Sequence, residues 1–133
     1  MALTPIDPDE IPTPLTYSHA IVATSGRLVF VAGQVAEDAD GNLVGPGDMR
    51  AQAHQVFANI GRVLAAAGAR PEHVTKLGIF VAGYRREHLE MIEDGRVALF
   101  GDHRPTDTLV GVAALSRPDY LLEVDAIAVV DGA

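Results

Sequence analysis

Apolar residues recur along this chain with two periods, one typical of strands and one typical of helices. Over 17–35, two runs rich in Val, Ile, Leu and Ala flank a turn at 25–27, and they predict two strands joined as a hairpin. Gly33 falls inside the second run, which indicates a bulge or the close approach of another group. The preceding residues are rich in Pro, Asp and Thr, and they predict an extended N-terminal arm over 1–16.

The clearest helical pattern covers residues 48–67. Apolar side chains recur there at intervals of three and four residues, which places them on one stripe of a helix. Asp48 is positioned to cap the start of this helix, and Gly68 is positioned to end it. A less regular pattern predicts a second helix over 86–100, in which Gly95 indicates a crowded position.

The remaining apolar runs predict three more strands. One covers 74–82, and the other two form a closing hairpin within 103–130. Asp107 opens the first strand of that hairpin, and Glu123 and Asp125 interrupt the second. Because a buried charge is costly unless another group pairs with it or uses it, we expect these acidic residues to border the functional site.

The predicted order of elements is β-β-α-β-α-β-β. This order is typical of an α+β fold in which two helices cover one face of a mixed sheet. A chain of 133 residues fits one compact domain, which we place over 17–133. Several strands are apolar on both faces, so the face opposite the helices must contact solvent or another subunit. We therefore expect an oligomer.

Composition narrows the possible classes of function. The formal net charge is −8, which argues against binding to a nucleic-acid backbone. The chain has no cysteine, and its five histidines lack close metal-ligand spacing, so we expect no metal and no cofactor. No signal peptide is evident, and no apolar run approaches the roughly 18 residues that span a membrane, so we expect a cytoplasmic protein without membrane contact.

Several short motifs then occur in a particular order and spacing. They are Tyr17-Ser-His-Ala, Val31-Ala-Gly33-Gln34, a strand ending in Phe80-Val81, Phe100, Pro105 and the segment Glu123-Val-Asp-Ala-Ile-Ala. Together these motifs resemble the Rid family, also called the YjgF group or endoribonuclease L-PSP, over residues 17–130. The resemblance implies a chorismate-mutase-like fold and a homotrimer with a small-molecule cleft between neighbouring subunits.

In the deaminase branch of that family, the resemblance implies hydrolysis of enamines and imines that pyridoxal-phosphate enzymes release. The products are a 2-keto acid and ammonia, and an arginine in a Pro-x-Arg motif binds the carboxylate of the substrate. This chain instead has Pro105-Thr106-Asp107, which reverses the charge. Two like charges about 4 Å apart repel by about 4 kcal/mol at an effective dielectric constant of about 20, so a carboxylate is disfavoured in the usual pose.

Glu123 and Asp107 are the candidate catalytic residues. Glu123 stands where the deaminases have a glutamate that positions water, and Asp107 is a candidate general base or binder of cationic or hydroxylated ligands. The structural alternative for Asp107 is a strand-edge aspartate that caps a loop or pairs with Arg104. For Glu123 the alternative is a salt bridge across the trimer interface. The candidate ligand-binding residues are Tyr17, Gly33, Gln34, Arg96, Arg104 and Thr108.

Arg96 and Arg104 are the possible replacements for the missing arginine. A carboxylate is bound by a guanidinium fork, which another position in the sequence can supply. The alternative for each is an ordinary surface or interface ion pair.

Two classes of function stay open from the sequence. The first is a Rid-like hydrolase that acts on an imine, an enamine or a related labile nitrogen metabolite without the usual arginine. The second is a non-catalytic trimer that binds a metabolite or a partner protein. Ribonuclease activity, which the older family name implies, is disfavoured by the acidic charge.

Overall fold

The structure is a computed structural model that describes residues 3–131. It contains two α-helices, one short 3-10 helix (Pro71–His73) and six strands within this range, and no helix there is long and apolar enough to cross a membrane. The α-helices and strands, labelled in chain order, are β1 (Leu3–Ile6), β2 (Ala20–Ala23), β3 (Arg27–Gln34), α1 (Met49–Ala66), β4 (Val74–Ala82), α2 (His88–Phe100), β5 (Thr106–Val112) and β6 (Leu122–Val130).

The main sheet has four strands in the order β3-β6-β4-β5. β6 is antiparallel to both of its neighbours, and β5 runs parallel to β4. α1 and α2 pack together, and their apolar side chains form one core with those of the sheet. The predicted α+β fold, with two helices on one face of a mixed sheet, is therefore confirmed.

The predicted signals around the helices are also confirmed. The Asp48 side chain accepts a hydrogen bond from the Ala51 backbone N–H at 3.0 Å, which caps α1. Gly68 follows α1 with a φ of 75°, a left-handed conformation that favours glycine. An added Cβ at Gly95 would lie 2.8 Å from the carbonyl group of Ala53, so this glycine lets the two helices approach closely.

The predicted closing hairpin is wrong. β5 and β6 do not pair, because β4 lies between them in the sheet. β6 is nearly all apolar, and its place between β3 and β4 gives backbone partners to both of its edges. Residues 113–121 connect β5 to β6 past the intervening strand.

The predicted hairpin between the first two apolar runs is also wrong. β2 pairs with β1 in a separate two-stranded sheet, so the range predicted as an extended arm includes a short strand. The segment between these strands is bound at the start of β5. There the Ser18 backbone N–H donates to the Pro105 carbonyl at 3.1 Å, and the Ser18 hydroxyl donates to the Arg104 carbonyl.

Side chains alternate between the two faces of β6, and this alternation positions the candidate site. Leu122, Val124 and Ala126 are buried in the core beneath the helices. Glu123 and Asp125 therefore point to the opposite face, which the two helices leave uncovered. We call this opposite side the open face of the sheet.

Candidate functional site

Asp107 and Glu123 lie on opposite faces of the main sheet. Asp107 is directly opposite Leu77 of β4, which is fully buried in the core, so Asp107 points towards the helices. Glu123 is directly opposite Phe80 on the open face. Within one chain, the two predicted catalytic carboxylates therefore do not share a site.

Arg96 is the partner of Asp107. Its side chain is 1% exposed, and its guanidinium forms an ion pair with the Asp107 carboxylate. The same guanidinium donates from Nη1 to the Thr16 carbonyl at 2.8 Å. Arg96 therefore forms an ion pair, as the structural alternative expected, but the pair is buried within the chain and does not lie at the surface. The ion pair predicted as an alternative for Asp107 named the wrong arginine, Arg104.

Glu93 provides a second, weaker contact for this arginine. Its Oε1 atom lies 3.5 Å from Arg96 Nε, and neither Arg96 Nε nor Glu93 Oε2 has a hydrogen-bond partner within residues 3–131. Burial lowers the pKa of the Arg96 guanidinium, whereas Glu93 and Tyr17 raise it. Arginine stays charged even so, because its ordinary pKa lies far above neutrality.

The Arg104 side chain contacts the N-terminal segment, and it pairs with neither Asp107 nor Glu123. Its Nη1 atom donates to the Pro14 carbonyl at 2.6 Å, and its Nη2 atom lies 3.3 Å from the Asp7 carboxylate. Arg104 therefore fixes the segment that precedes Tyr17. In this structure it presents no free guanidinium to a ligand near Glu123.

A cleft of about 470 Å³ opens between the N-terminal segment, α2 and β5. We call it the Asp107 cleft. Its walls combine a phenol, two carboxylates and leucine side chains, with the buried Arg96 pair behind them. The lining residues are Leu15, Thr16, Tyr17, Leu89, Glu93, Asp107 and Leu109.

Glu123 lies against Gly33 on the open face. β3 shifts its register between Val31 and Gln34, and an added Cβ at Gly33 would overlap the Glu123 carboxylate. Both predicted explanations for this glycine, a bulge and a close approach, are therefore confirmed. No hydrogen bond or ion pair holds the Glu123 carboxylate within the described part of the chain.

Thr108 also lies on the open face, on β5, and two strands separate β5 from β3. Its hydroxyl accepts a hydrogen bond from Lys76 Nζ at 2.9 Å. Asp125 accepts a hydrogen bond from the Gly78 backbone N–H at 3.0 Å, and it forms no ion pair among residues 3–131. A cavity of about 450 Å³ adjoins these groups, and Phe30 and Phe80 line it.

Gln34 lies beside α1, and its amide donates to the Ala32 carbonyl at 3.1 Å. With Gly33 it lines a polar cavity of about 670 Å³, to which α1 contributes Gln55, Asn59 and Arg62. The sequence interpretation did not single out Arg62. Its signal was the spacing of three polar residues at intervals of four and three on one side of the first helix.

The described site has no arrangement of side chains that could hold a metal ion. Among residues 3–131, no group of three or more histidine, aspartate or glutamate side chains is arranged to hold a metal ion. The chemistry that the site can offer is that of carboxylates, a phenol, hydroxyls and backbone groups.

Comparison with known proteins gives consistent matches. The family model described as endoribonuclease L-PSP matches residues 9–130. The RutC family protein PH0854 of Pyrococcus horikoshii is 31% identical over 90% of this chain and 92% of its own length. The 2-iminobutanoate/2-iminopropanoate deaminase of Dermatophagoides farinae is 30% identical over 96% of this chain and 94% of its own.

Among solved structures, the chain is similar to YyfB from Yersinia pestis. That protein is described as one of unknown function in the conserved Rid protein family. It is 38% identical, covers 98% of this chain and all of its own, and superposes with a TM-score of 0.92.

Proposed function

Since the chain belongs to the Rid family, we propose that it hydrolyses a labile imine, enamine or related nitrogen metabolite without the usual carboxylate-binding arginine. In this proposal Glu123 positions the attacking water, and the ligand lies in a cleft between subunits of a homotrimer. The reaction adds water to the carbon–nitrogen double bond and yields a carbonyl compound and ammonia.

The observation that carries this proposal is the state of Glu123. Its carboxylate lies on the open face without a partner among the described residues, and Gly33 leaves room for it. A carboxylate that only stabilised the fold would be expected to hold a donor or a cation. Glu123 is instead available to accept a proton from a water molecule.

The same geometry supports a site between subunits. The Asp107 cleft lies on the helix side of the sheet and Glu123 lies on the open face, so one chain cannot bring them together. Two copies can do so when the open face of one meets the edge of another. The large exposed apolar side chains on that face, Leu28 at 59% and Phe30 at 71%, support such an assembly.

The direct experiment is an assay of ammonia release from freshly generated imines. An amino-acid oxidase supplies imines that carry a carboxylate, and an amine oxidase supplies imines that lack one. We expect the purified protein to accelerate hydrolysis in at least one set, and Glu123→Gln to abolish the acceleration while the fold is retained. Hydrolysis at the background rate in both sets would refute the enzymatic proposal.

A specific observation favours the alternative, a non-catalytic trimer that binds a metabolite or partner protein. The position of the family arginine is occupied by Asp107, whose charge is engaged by Arg96. A thermal-shift screen with a metabolite library tests this alternative. A ligand that raises the midpoint while no imine is hydrolysed would favour binding over catalysis.

Cytoplasmic localisation and the lack of a nucleic-acid partner belong to the same proposal. They are supported by the acidic net charge and by the lack of cysteine. Cell fractionation and a binding assay with single-stranded RNA at low salt are the corresponding measurements.

A further inference from the structure

We propose that the Asp107 cleft selects ligands that carry a primary ammonium group on a short apolar stem. This inference rests on the proposed function in one respect, namely that the Asp107 cleft forms part of the ligand site. It goes further by stating the charge of the group that the site accepts.

The charges around the cleft do not balance. Asp107 and Glu93 contribute two carboxylates to its lining, and Arg96 supplies one guanidinium behind them. Because Arg96 is 1% exposed and does not line the cleft, a ligand meets the carboxylates and not the cation. The surface presented to a ligand is therefore negative.

Glu93 is the less well satisfied of the two carboxylates. The short contacts of the Arg96 guanidinium go to Asp107 and to the Thr16 carbonyl. The Glu93 contact is longer, and its buried Oε2 atom has no donor within the described residues. The unpaired Oε2 atom is itself closed off from solvent, but the Glu93 side chain is 25% exposed, so part of its incompletely compensated negative charge lies at the wall of the cleft.

The shape and chemistry of the walls match an alkylammonium ion. An ammonium group has three donors, and the Glu93 carboxylate, the Asp107 carboxylate and the Tyr17 hydroxyl are three acceptors in one cleft. Leu15, Leu89 and Leu109 supply apolar surface for a stem. A volume of about 470 Å³ is in the range of small-ligand sites.

The same arrangement disfavours an anion. A carboxylate in the cleft would lie beside two like charges, and the guanidinium behind the cleft, that of Arg96, is already paired and buried. Selection therefore operates by attraction of the ammonium group and by repulsion of its acidic counterpart.

The experiment is an NMR titration of the full-length, isotope-labelled protein with three probes of matched size: butylammonium, butyrate and butanol. We expect butylammonium to shift the amide signals of Tyr17, Leu89 and Asp107 in a saturable way, and the shifts to weaken as salt is raised. Butyrate and butanol should leave these signals unchanged. Saturable binding of butyrate at these residues, or no saturable binding of butylammonium, would overturn the proposal.

Single-residue variants test which side chains bind the ammonium group. Glu93→Gln should weaken butylammonium binding about tenfold, because it removes one charge-assisted hydrogen bond. The matched control is Glu90→Gln, an exposed position on the same helix that does not line the cleft. If Glu93→Gln perturbs the fold, Tyr17→Phe removes a cleft acceptor without changing charge, and unaltered affinity in that variant would count against the proposed mode of binding.

The ammonium-binding proposal and the hydrolase proposal can be refuted separately. Saturable butylammonium binding without turnover of any imine would support this inference and remove the proposed hydrolase. Turnover of carboxylate imines with no binding of butylammonium would support the hydrolase and refute this inference.

Discussion

The Arg96 guanidinium and the Asp107 carboxylate form a buried ion pair that joins α2 to the start of β5. Asp107 is 14% exposed and Arg96 is almost fully buried. The aspartate that distinguishes this chain from the Pro-x-Arg pattern therefore neutralises an arginine that the second helix supplies. The charges of Arg96 and Asp107 therefore compensate each other.

Asp107→Asn should lower the free energy of unfolding by about 3 kcal/mol, because it leaves the buried Arg96 charge with only the longer Glu93 contact. Urea unfolding measures this change. The matched control is Asp94→Asn, which breaks an ion pair with Arg50 in which both side chains are about half exposed. That control should lower the free energy of unfolding by no more than about 1 kcal/mol. An equal decrease in both variants would show that the buried Arg96 pair stabilises the fold no more than an exposed ion pair does.

The pair should also be replaceable by apolar side chains. Arg96→Met and Asp107→Leu should each destabilise the fold, since each leaves one buried charge alone, while the double variant should be more stable than either single variant. A double-mutant cycle from urea unfolding measures the coupling. Additive losses in the double variant would contradict a direct interaction.

Introducing arginine at position 107 alone should not create an imine deaminase. Asp107→Arg places a second guanidinium beside the buried Arg96 and removes the counterion. We expect poor folding and no gain in ammonia release from 2-iminopropionate. The charge-exchanged variant, Arg96→Asp with Asp107→Arg, should fold better than Asp107→Arg, and thermal unfolding compares the two.

Gly33→Ala tests the role of Glu123 without altering the carboxylate itself. The added Cβ overlaps only Glu123 side-chain atoms, so the side chain should move aside and ammonia release should fall more than stability does. The matched control is Gly78→Ala, whose Cβ would instead displace Asp125. A parallel loss of ammonia release in both variants would argue against a specific role for Glu123.

Phe30→Glu tests the assembly. A charge in the middle of the exposed apolar face should prevent association and give a monomer, which light scattering after size-exclusion chromatography measures. Val22→Glu is the control, because Val22 is also an exposed apolar side chain but lies in the separate two-stranded sheet. A wild-type protein that is already monomeric would refute the proposed trimer.

The sequence predicted the helices and strands correctly where their signals come from residues close together in the chain. The apolar stripe of the first helix, the Asp48 cap and the glycine at 68 are set by neighbours within a turn of chain, and each was confirmed. The strand runs were placed correctly to within a few residues. From β2 onward, the order of strands and α-helices followed from these patterns, because periodicity is a property of the segment itself. β1 lies in the range that was predicted as an extended arm.

Strand pairing and the ion-pair partner of Asp107 depend on residues that are distant in the sequence, and the sequence did not predict them. Both predicted hairpins were wrong, because the partner of a strand depends on which edges the rest of the chain leaves available. β5 pairs with β4, and β2 pairs with β1. Neither β2 nor β5 pairs with the strand that follows it in the sequence. The choice of Arg96 over Arg104 as the partner of Asp107 was set in the same way, by the packing of α2 on the sheet.

The sequence by itself determined the helices, the apolar strands, the family and the charge reversal at position 107. Only the tertiary structure decided that Asp107 and Glu123 lie on opposite faces of one sheet, and that Arg96 forms a buried ion pair with Asp107. The physical reason is that side-chain alternation fixes which residues share a face of a strand, while the packing of distant elements fixes what each face contacts.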